Sequence, residues 1–323
     1  MVESLPAPER AGYRYPLVRT NERKLEGYAG PQYLWDIDNT YLMTDWSSLR
    51  DLIRIRFESA IDKRPVAGAP ELLQALRRGT GGDRKPIYFV SASPESMRPV
   101  LQKRMLLDGV EQDGATFRDL WTSGARVHLR HIRDVYGYKI AALLLYRLEG
   151  SSGAREILFG DDREHDPEVY VLYARICSGA LRDRSLSEVL AARGVLKPDI
   201  AYLCALASEL PLHDPVERIV IRRVRPRERS PGDEPEQPHA AAPFDAEDER
   251  VTLVDDYAEA AGLLLATKNV DPVGFARIFG AVRGESGRDA EKLLASVKPE
   301  VAPTVVEAAL AAFRRLPSPL PGT

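Results

Sequence analysis

The chain has 323 residues, of which 44% are hydrophobic and 29% are charged, and its formal net charge at pH 7 is −3. This composition excludes a largely disordered chain, and the small net charge excludes a general electrostatic attraction to nucleic acid or anionic membranes. Its 2 cysteines are too few for a disulfide framework and favour a reducing, cytoplasmic setting. The longest apolar run, residues 140–146, is far shorter than the roughly 20 residues that span a bilayer.

Short apolar segments along the chain are predicted to be buried strands. They lie at residues 33–35, 86–90 and 157–159, and the alternating pattern of residues 126–132 indicates a further strand. Helices are predicted at residues 46–61, 70–78, 94–107 and 137–148, and another begins at Asp166. Strands that alternate with helices favour an α/β fold with a mostly parallel sheet, in which ligands bind beyond the carboxyl ends of the strands.

The composition changes at residues 225–245, where prolines and charged residues predict a flexible linker. Helical periodicity returns at residues 251–315 and predicts a small all-α domain. The predicted organisation is an N-terminal extension at 1–30, an α/β domain at 31–224, the linker at 225–246 and the helical domain at 247–317. Six arginines between positions 218 and 229 are interpreted as a solvated edge of the linker, with docking on an anionic membrane or polymer as the alternative.

Asp36 and Asp38 stand directly after the first predicted strand, where the chain bends and both carboxylates are expected to enter one pocket. Phosphoryl transfer requires an in-line nucleophile and neutralisation of the phosphate oxygens. In such chemistry Asp36 attacks phosphorus, while Asp38 protonates the leaving oxygen and later deprotonates water. Ser91, at the end of the second strand, is expected to bind a phosphate oxygen together with the backbone amide of Ala92. Lys139, at a helix start, is expected to neutralise the nucleophile and the phosphate.

A Mg²⁺ site is predicted from the carboxylates, because this ion prefers oxygen ligands. The predicted ligands are Asp36, Asp38, Asp161 and Asp162. Asp161 is the preferred ligand from the third strand end, and Asp162 binds directly or through water. Asp166 precedes a proline, so a metal ligand and a helix N-cap are equally weighted there.

Each of these residues, taken singly, has an ordinary structural explanation. Asp36 and Asp38 suit a turn or a cap, Ser91 suits a turn, and Lys139 suits a solvated surface. Four such elements in this order, each at a strand end or a helix start, favour one common site instead.

The order of these residues resembles the four motifs of the haloacid dehalogenase (HAD) superfamily. Residues 36–40 resemble its first motif, DxDxT, and the second, third and fourth motifs correspond to Ser91, Lys139 and residues 160–162. The resemblance covers about residues 30–180. It implies a HAD-like Rossmannoid sheet flanked by helices, and a Mg²⁺-dependent phosphatase with Asp36 as the nucleophile.

Three stretches resemble, more narrowly, the actin-patch phosphatidate phosphatase family, which is related to the lipins. They are residues 65–72, 90–94 and 159–170, which follow the family patterns VSxSP and GDxxxxDPExY in the last two cases. Asn39 stands where the family usually has Asp, and Asp162 stands where Ser is common. The resemblance implies phosphatidate or another bulky phosphate ester as the substrate, since the segments between the motifs are short for a large cap domain.

Two other functions are carried as alternatives. The same fold suits a phosphatase of nucleic-acid ends or a phosphotransferase. A basic groove around the site would favour a nucleic-acid substrate, whereas an amphipathic rim would favour a lipid. The other alternative is a non-catalytic phosphate-binding module. In every case the C-terminal helices are the candidate contact for a peripheral membrane surface or a protein partner.

Overall fold

The structure is a computed structural model that describes residues 15, 17–21, 27–43, 64–81, 83–119, 135–163, 165–224, 248–286 and 311. The predicted helix at 46–61, the predicted strand at 126–132 and the predicted linker at 225–246 lie outside the described residues. The strands are β1 (Leu17–Asn21), β2 (Pro31–Trp35), β3 (Ile87–Pro94), β4 (Gly114–Arg118), β5 (Arg155–Asp161), β6 (Val216–Arg222) and β7 (Val251–Val254). The α-helices are α1 (Ala69–Arg78), α2 (Arg98–Leu107), α3 (Val135–Glu149), α4 (Asp166–Cys177), α5 (Asp183–Ala192), α6 (Lys197–Glu209), α7 (Tyr257–Ala266) and α8 (Pro272–Ser286).

The described strands form one sheet of 7 strands in the order β1-β4-β3-β2-β5-β6-β7. Only the edge strand β1 is antiparallel to its neighbour among these pairs, so the predicted mostly parallel α/β sheet is confirmed. The central strand β2 ends with Trp35 opposite Phe89 of β3 and Phe159 of β5. Because these three strands are parallel, the residues that follow them meet at one edge of the sheet.

Helices cover both faces of the sheet. On one face, α1, α2, α7 and α8 pack with the side chains of Tyr33 and Trp35 in one buried core. On the other face, α3, α4, α5 and α6 pack around Leu34 and Leu158 in a second core. The alternation of β2 between these cores follows from the opposite directions of successive strand side chains. This central strand is therefore held from both sides where it delivers Asp36.

Strand β3 is longer than the sequence predicted. It runs to Pro94, which pairs with Arg118 of β4 after a register shift, and a 3₁₀ turn at Glu95–Met97 precedes α2. The α-helix therefore begins at Arg98 instead of position 94, because Pro94 keeps an extended backbone with ψ of 148°. The extension places Ser91 and Ser93 within the strand.

The described C-terminal residues belong to the same sheet and core as the rest of the fold. The sequence predicted helices alone after the linker, whereas Val251–Val254 form β7, which pairs in parallel with β6. Helices α7 and α8 pack with α1 in the first core. A Cβ on Gly68, which precedes α1, would lie 2.8 Å from Val282 of α8, so the two segments are in close contact. Residues 248–286 therefore do not form a separate all-α domain; they contribute one strand to the sheet and two helices to the first core. No helix within the described ranges is both long and apolar enough to cross a membrane.

Candidate active site

Asp36 continues the central strand into the site. Its backbone amide donates to the carbonyl of Phe159 at 2.9 Å, and its side chain is fully buried. The chain then reverses, because the carbonyl of Ile37 accepts from the amides of both Tyr41 and Leu42 at 2.9 Å. The reversal passes through Asn39, whose φ of 54° lies in the left-handed region that asparagine tolerates better than most residues. Both aspartates of the first motif are thus presented at the carboxyl edge of the sheet.

Asp38 is held by hydroxyl groups of β3. The hydroxyl of Ser93 donates to Asp38 Oδ2 at 2.9 Å, and that of Ser91 lies 3.4 Å from the same oxygen. The amide of Ser93 donates to Ser91 Oγ at 3.1 Å, which orients the first serine. Ser93 was not among the predicted site residues. The sequence signal that was overlooked is its position as the second serine of the VSxSP pattern.

Lys139 is fully buried in the site, although taken alone it suits a solvated surface. Its Nζ lies 2.9 Å from Asp36 Oδ1 and also donates to Asp166 Oδ1. A buried charge is costly unless it is paired, so this lysine offsets the charge of two carboxylates that would otherwise repel each other. The neighbouring Tyr138 donates its hydroxyl to the carbonyl of Ser91 at 2.7 Å. Helix α3 is thereby joined to Asp36, which follows β2, and to Ser91 within β3.

Three buried carboxylates form the acidic centre of the site. Asp36, Asp161 and Asp166 each offer an oxygen within 4.8 Å of the others. The amide of Asp161 donates to Asp166 Oδ2 at 3.3 Å, and that of Arg163 donates to Asp161 Oδ1 at 2.7 Å. A donor set made only of carboxylate oxygens suits a hard divalent cation such as Mg²⁺. The cluster can therefore hold a divalent metal ion.

Asp162, which the sequence predicted to be a metal ligand, is not part of the cluster formed by Asp36, Asp161 and Asp166. Its side chain is exposed, and its Oδ1 accepts from the amide of Val224 at 2.8 Å. Its own amide donates to the carbonyl of Arg222 at 3.1 Å. These bonds tie the end of β5 to the end of β6. The structure thus brings Asp166, which was weighed against a cap, into the acidic cluster, while Asp38 contacts the serines of β3 and Asp162 contacts Val224.

Two tyrosines support the site from α3 and α4. Burial raises the pKa of the Tyr138 and Tyr170 phenols well above the usual value, so both remain protonated and donate hydrogen bonds at ordinary pH. Tyr170 donates to the carbonyl of Phe159 at 3.1 Å. The guanidinium of Arg118, at the end of β4, lies 5.0 Å from the ring centre of Tyr138. Arg118 is a buried cation near the site that sequence reasoning missed.

Arg222 is also part of this edge of the sheet. The interpretation of this arginine as part of a solvated linker edge is wrong, because it is the last residue of β6 and only 3% exposed. Its Nε donates to the carbonyl of Asn39 at 2.8 Å. The carbonyl of Thr40 accepts from the hydroxyl of Tyr257 at 2.5 Å. A run of arginines in sequence does not reveal which of them faces inward on a strand.

Comparison with known proteins gives one match. Residues 33–181 match the family described as phosphatidate phosphatase APP1, catalytic domain. Neither the curated proteins nor the solved structures include a significant match to the chain. The matched segment begins in β2, ends after α4 and contains Asp36, Ser91, Lys139, Asp161 and Asp166. This part of the chain is therefore similar to a phosphatidate phosphatase catalytic domain, which supports a phosphatase.

Proposed function

We propose that the chain is a Mg²⁺-dependent phosphomonoesterase that hydrolyses phosphatidate through an aspartyl-phosphate on Asp36. The observation that carries the proposal is the buried cluster of Asp36, Asp161 and Asp166 with Lys139 between two of its members. A nucleophile, a metal-binding carboxylate set and a cation are what phosphoryl transfer requires of a protein. The similarity of residues 33–181 to a phosphatidate phosphatase catalytic domain supports the same reaction.

The proposed metal ligands are Asp36, Asp161 and Asp166, so Asp166 replaces Asp162 and Asp38 in the set predicted from the sequence. The buried oxygens fit Mg²⁺ by their chemistry, and a divalent cation offsets the repulsion between three buried carboxylates. When bound, Mg²⁺ supplies charge neutralisation for the phosphate oxygens. Lys139 supplies further positive charge beside the nucleophile at Asp36 Oδ1.

The first half of the proposed reaction transfers the phosphoryl group to the protein. A carboxylate oxygen of Asp36 attacks phosphorus, and the bond from phosphorus to the ester oxygen breaks with its electron pair on that oxygen. Protonated Asp38 gives its proton to the leaving oxygen, which departs as an alcohol; with phosphatidate the alcohol is diacylglycerol. The Ser93 hydroxyl at 2.9 Å orients the Asp38 carboxyl group for this transfer.

The second half hydrolyses the intermediate. Asp38, now ionised, takes a proton from a water molecule as its oxygen attacks phosphorus, and the bond between phosphorus and Asp36 breaks. Inorganic phosphate leaves, Asp36 is a carboxylate again and Asp38 is protonated for the next cycle. In both halves Ser91 and the amide of Ala92 bind phosphate oxygens, and the Ser91 hydroxyl gives up its long contact of 3.4 Å with Asp38 to do so.

The test measures Mg²⁺-dependent hydrolysis of p-nitrophenyl phosphate and of phosphatidate in mixed micelles. We expect turnover that EDTA abolishes and that Asp36→Asn reduces by several orders of magnitude, because the amide is a poor nucleophile. Acid quenching of wild-type protein with ³²P-labelled phosphatidate should trap label that hydroxylamine releases, and Asp36→Asn should trap none. Full activity of Asp36→Asn would refute the mechanism. Faster turnover of a 5′-phosphorylated oligonucleotide than of phosphatidate would refute the lipid substrate and leave the mechanism in place.

A further inference from the structure

The turn that follows Asp38 has a backbone conformation that needs support. Asn39 has a φ of 54°, and residues with side chains adopt this left-handed conformation at a cost that the surrounding structure must offset. We refer to residues Asn39 and Thr40 as the Asn39–Thr40 turn. Because Asn39 is bonded directly to Asp38, any relaxation of its φ rotates the peptide that carries the proposed acid/base.

Two buried side chains from the C-terminal part of the chain hold this turn. Arg222 Nε donates to the carbonyl of Asn39 at 2.8 Å, and Tyr257 donates its hydroxyl to the carbonyl of Thr40 at 2.5 Å. Arg222 is 3% exposed and Tyr257 is fully buried. They stand at the end of β6 and the start of α7, and both lie outside residues 33–181, the segment similar to a phosphatase catalytic domain.

Asp38 is consequently held both through its side chain and through the main chain that follows it. Its carboxylate accepts from Ser93 of β3, while the main chain that leaves it is held by β6 and α7. A general acid acts within about 2.6–3.2 Å of the atom that receives its proton. A displacement of about 1 Å costs up to about 100-fold in rate. Loss of the two hydrogen bonds to the carbonyls of Asn39 and Thr40 could therefore displace Asp38 enough to slow its proton transfer.

We propose that Arg222 and Tyr257 are positioning residues for proton transfer by Asp38, so that the working catalytic unit extends past the matched segment as far as α7. The inference rests on the proposed function, in which Asp38 is the acid/base. Arg222 and Tyr257 touch neither the substrate nor the reacting atoms in this scheme. They hold the Asn39–Thr40 turn, and the turn sets the distance from Asp38 to the leaving oxygen.

The experiment uses leaving groups that need different amounts of acid assistance. Tyr257→Phe removes one hydroxyl and retains the ring, whose centre lies 5.6 Å from that of Trp35. p-Nitrophenolate leaves with little protonation, whereas the alkoxide of phosphatidate requires it, since general acid catalysis is worth about 100-fold or more. We expect kcat/KM, which reports the phosphoryl-transfer half of the reaction, to fall about 10–100-fold on phosphatidate and less than about 3-fold on p-nitrophenyl phosphate. Hydrolysis of the intermediate, in which Asp38 is the base for both esters, does not enter kcat/KM.

A matched control and a second variant accompany this substitution. Tyr28→Phe removes a hydroxyl that donates to the carbonyl of Pro31 at 2.8 Å, at the opposite end of β2 from Asp36. We expect this control to behave as wild type on both esters. Arg222→Lys removes the Nε donor and keeps the charge, and we expect the same selective loss on phosphatidate as for Tyr257→Phe.

Selective loss on phosphatidate in Tyr257→Phe or Arg222→Lys supports the positioning role. Equal loss of kcat/KM on both esters, or no loss, overturns it. A large drop of melting temperature in both variants also overturns it, because the two side chains would then hold the fold instead of the turn. Failure of the proposed function looks different. In that case the wild type itself shows no turnover that depends on Asp36, whatever the behaviour of the variants.

Discussion

The buried carboxyl group of Glu156 leads us to expect that the stability of the protein falls as the pH rises. Glu156 lies near the start of β5, at the opposite end of the strand from Asp161 of the candidate active site. Its carboxyl group is fully buried, and it accepts from Gln32 at 3.0 Å and from Tyr173 at 2.8 Å. Arg147 lies 3.8 Å away, but its guanidinium donates to carbonyls, among them that of Ser152 at 2.8 Å. Burial outweighs these contacts and, with the charge of Asp214 adding in the same direction, raises the pKa of Glu156 from 4.5 to about 7.

The sign of the effect follows from the raised pKa. The folded state prefers the protonated carboxyl group, so its stability contribution is fully present below about pH 4.5 and is lost as the pH rises through about 7. At 1.36 kcal/mol per pKa unit, the full difference is about 3 kcal/mol. Because most of it develops between pH 5 and pH 8, the wild type should lose about 2.5 kcal/mol across that interval through this residue.

The perturbation is Glu156→Gln, which keeps the shape and removes the titration. Urea unfolding followed by circular dichroism at pH 5, 6, 7 and 8 gives the free energy of unfolding of both proteins. We expect the difference between variant and wild type to move in favour of the variant by about 2.5 kcal/mol from pH 5 to pH 8. Tyr173→Phe acts in the opposite sense, because its hydroxyl lowers the pKa of Glu156, and should extend the loss of stability to higher pH. A difference between Glu156→Gln and wild type that does not vary with pH would refute the reasoning.

Further predictions concern the active site. Asp166→Asn should raise the Mg²⁺ concentration for half-maximal activity by about 10–100-fold or more, whereas Asp162→Asn should leave it nearly unchanged; a larger effect of Asp162→Asn in a Mg²⁺ titration would favour the ligand set predicted from the sequence. Ser93→Ala removes the hydrogen bond of 2.9 Å that orients Asp38 and should lower kcat on phosphatidate about 10-fold or more, which steady-state kinetics would contradict by showing wild-type values. Gly160→Ala places a Cβ 2.6 Å from the Cβ of Asp166 and should destabilise the protein by about 1–3 kcal/mol in urea unfolding; an unchanged midpoint would mean that α4 moves aside freely.

The local sequence determined the elements around the site because their signals are local. Buried strands flanked by polar residues predicted β2, β3 and β5, and the structure confirms them within a few residues. The helix predicted at 70–78 is α1 (Ala69–Arg78), and the one predicted at 137–148 lies within α3. The parallel arrangement followed from the alternation of strands and helices, which leaves few ways to connect them. From this order alone, Asp36, Asp38, Ser91, Lys139 and Asp161 could be assigned to one edge of the sheet.

Tertiary contacts decided the features that depend on distant parts of the chain. The four residues of β7 are too few to show a period of their own, and they became a strand because β6 offers an unpaired edge for their backbone. Arg222 turned inward because that strand ends beside the Asn39–Thr40 turn, whose carbonyls need donors. Asp166 and Asp162 are both acidic and only four positions apart, and the sequence cannot rank them. The tertiary structure places them differently. Helix α4 approaches Gly160 closely and Asp166 lies in the acidic cluster, whereas Asp162 accepts a hydrogen bond from Val224 after β6.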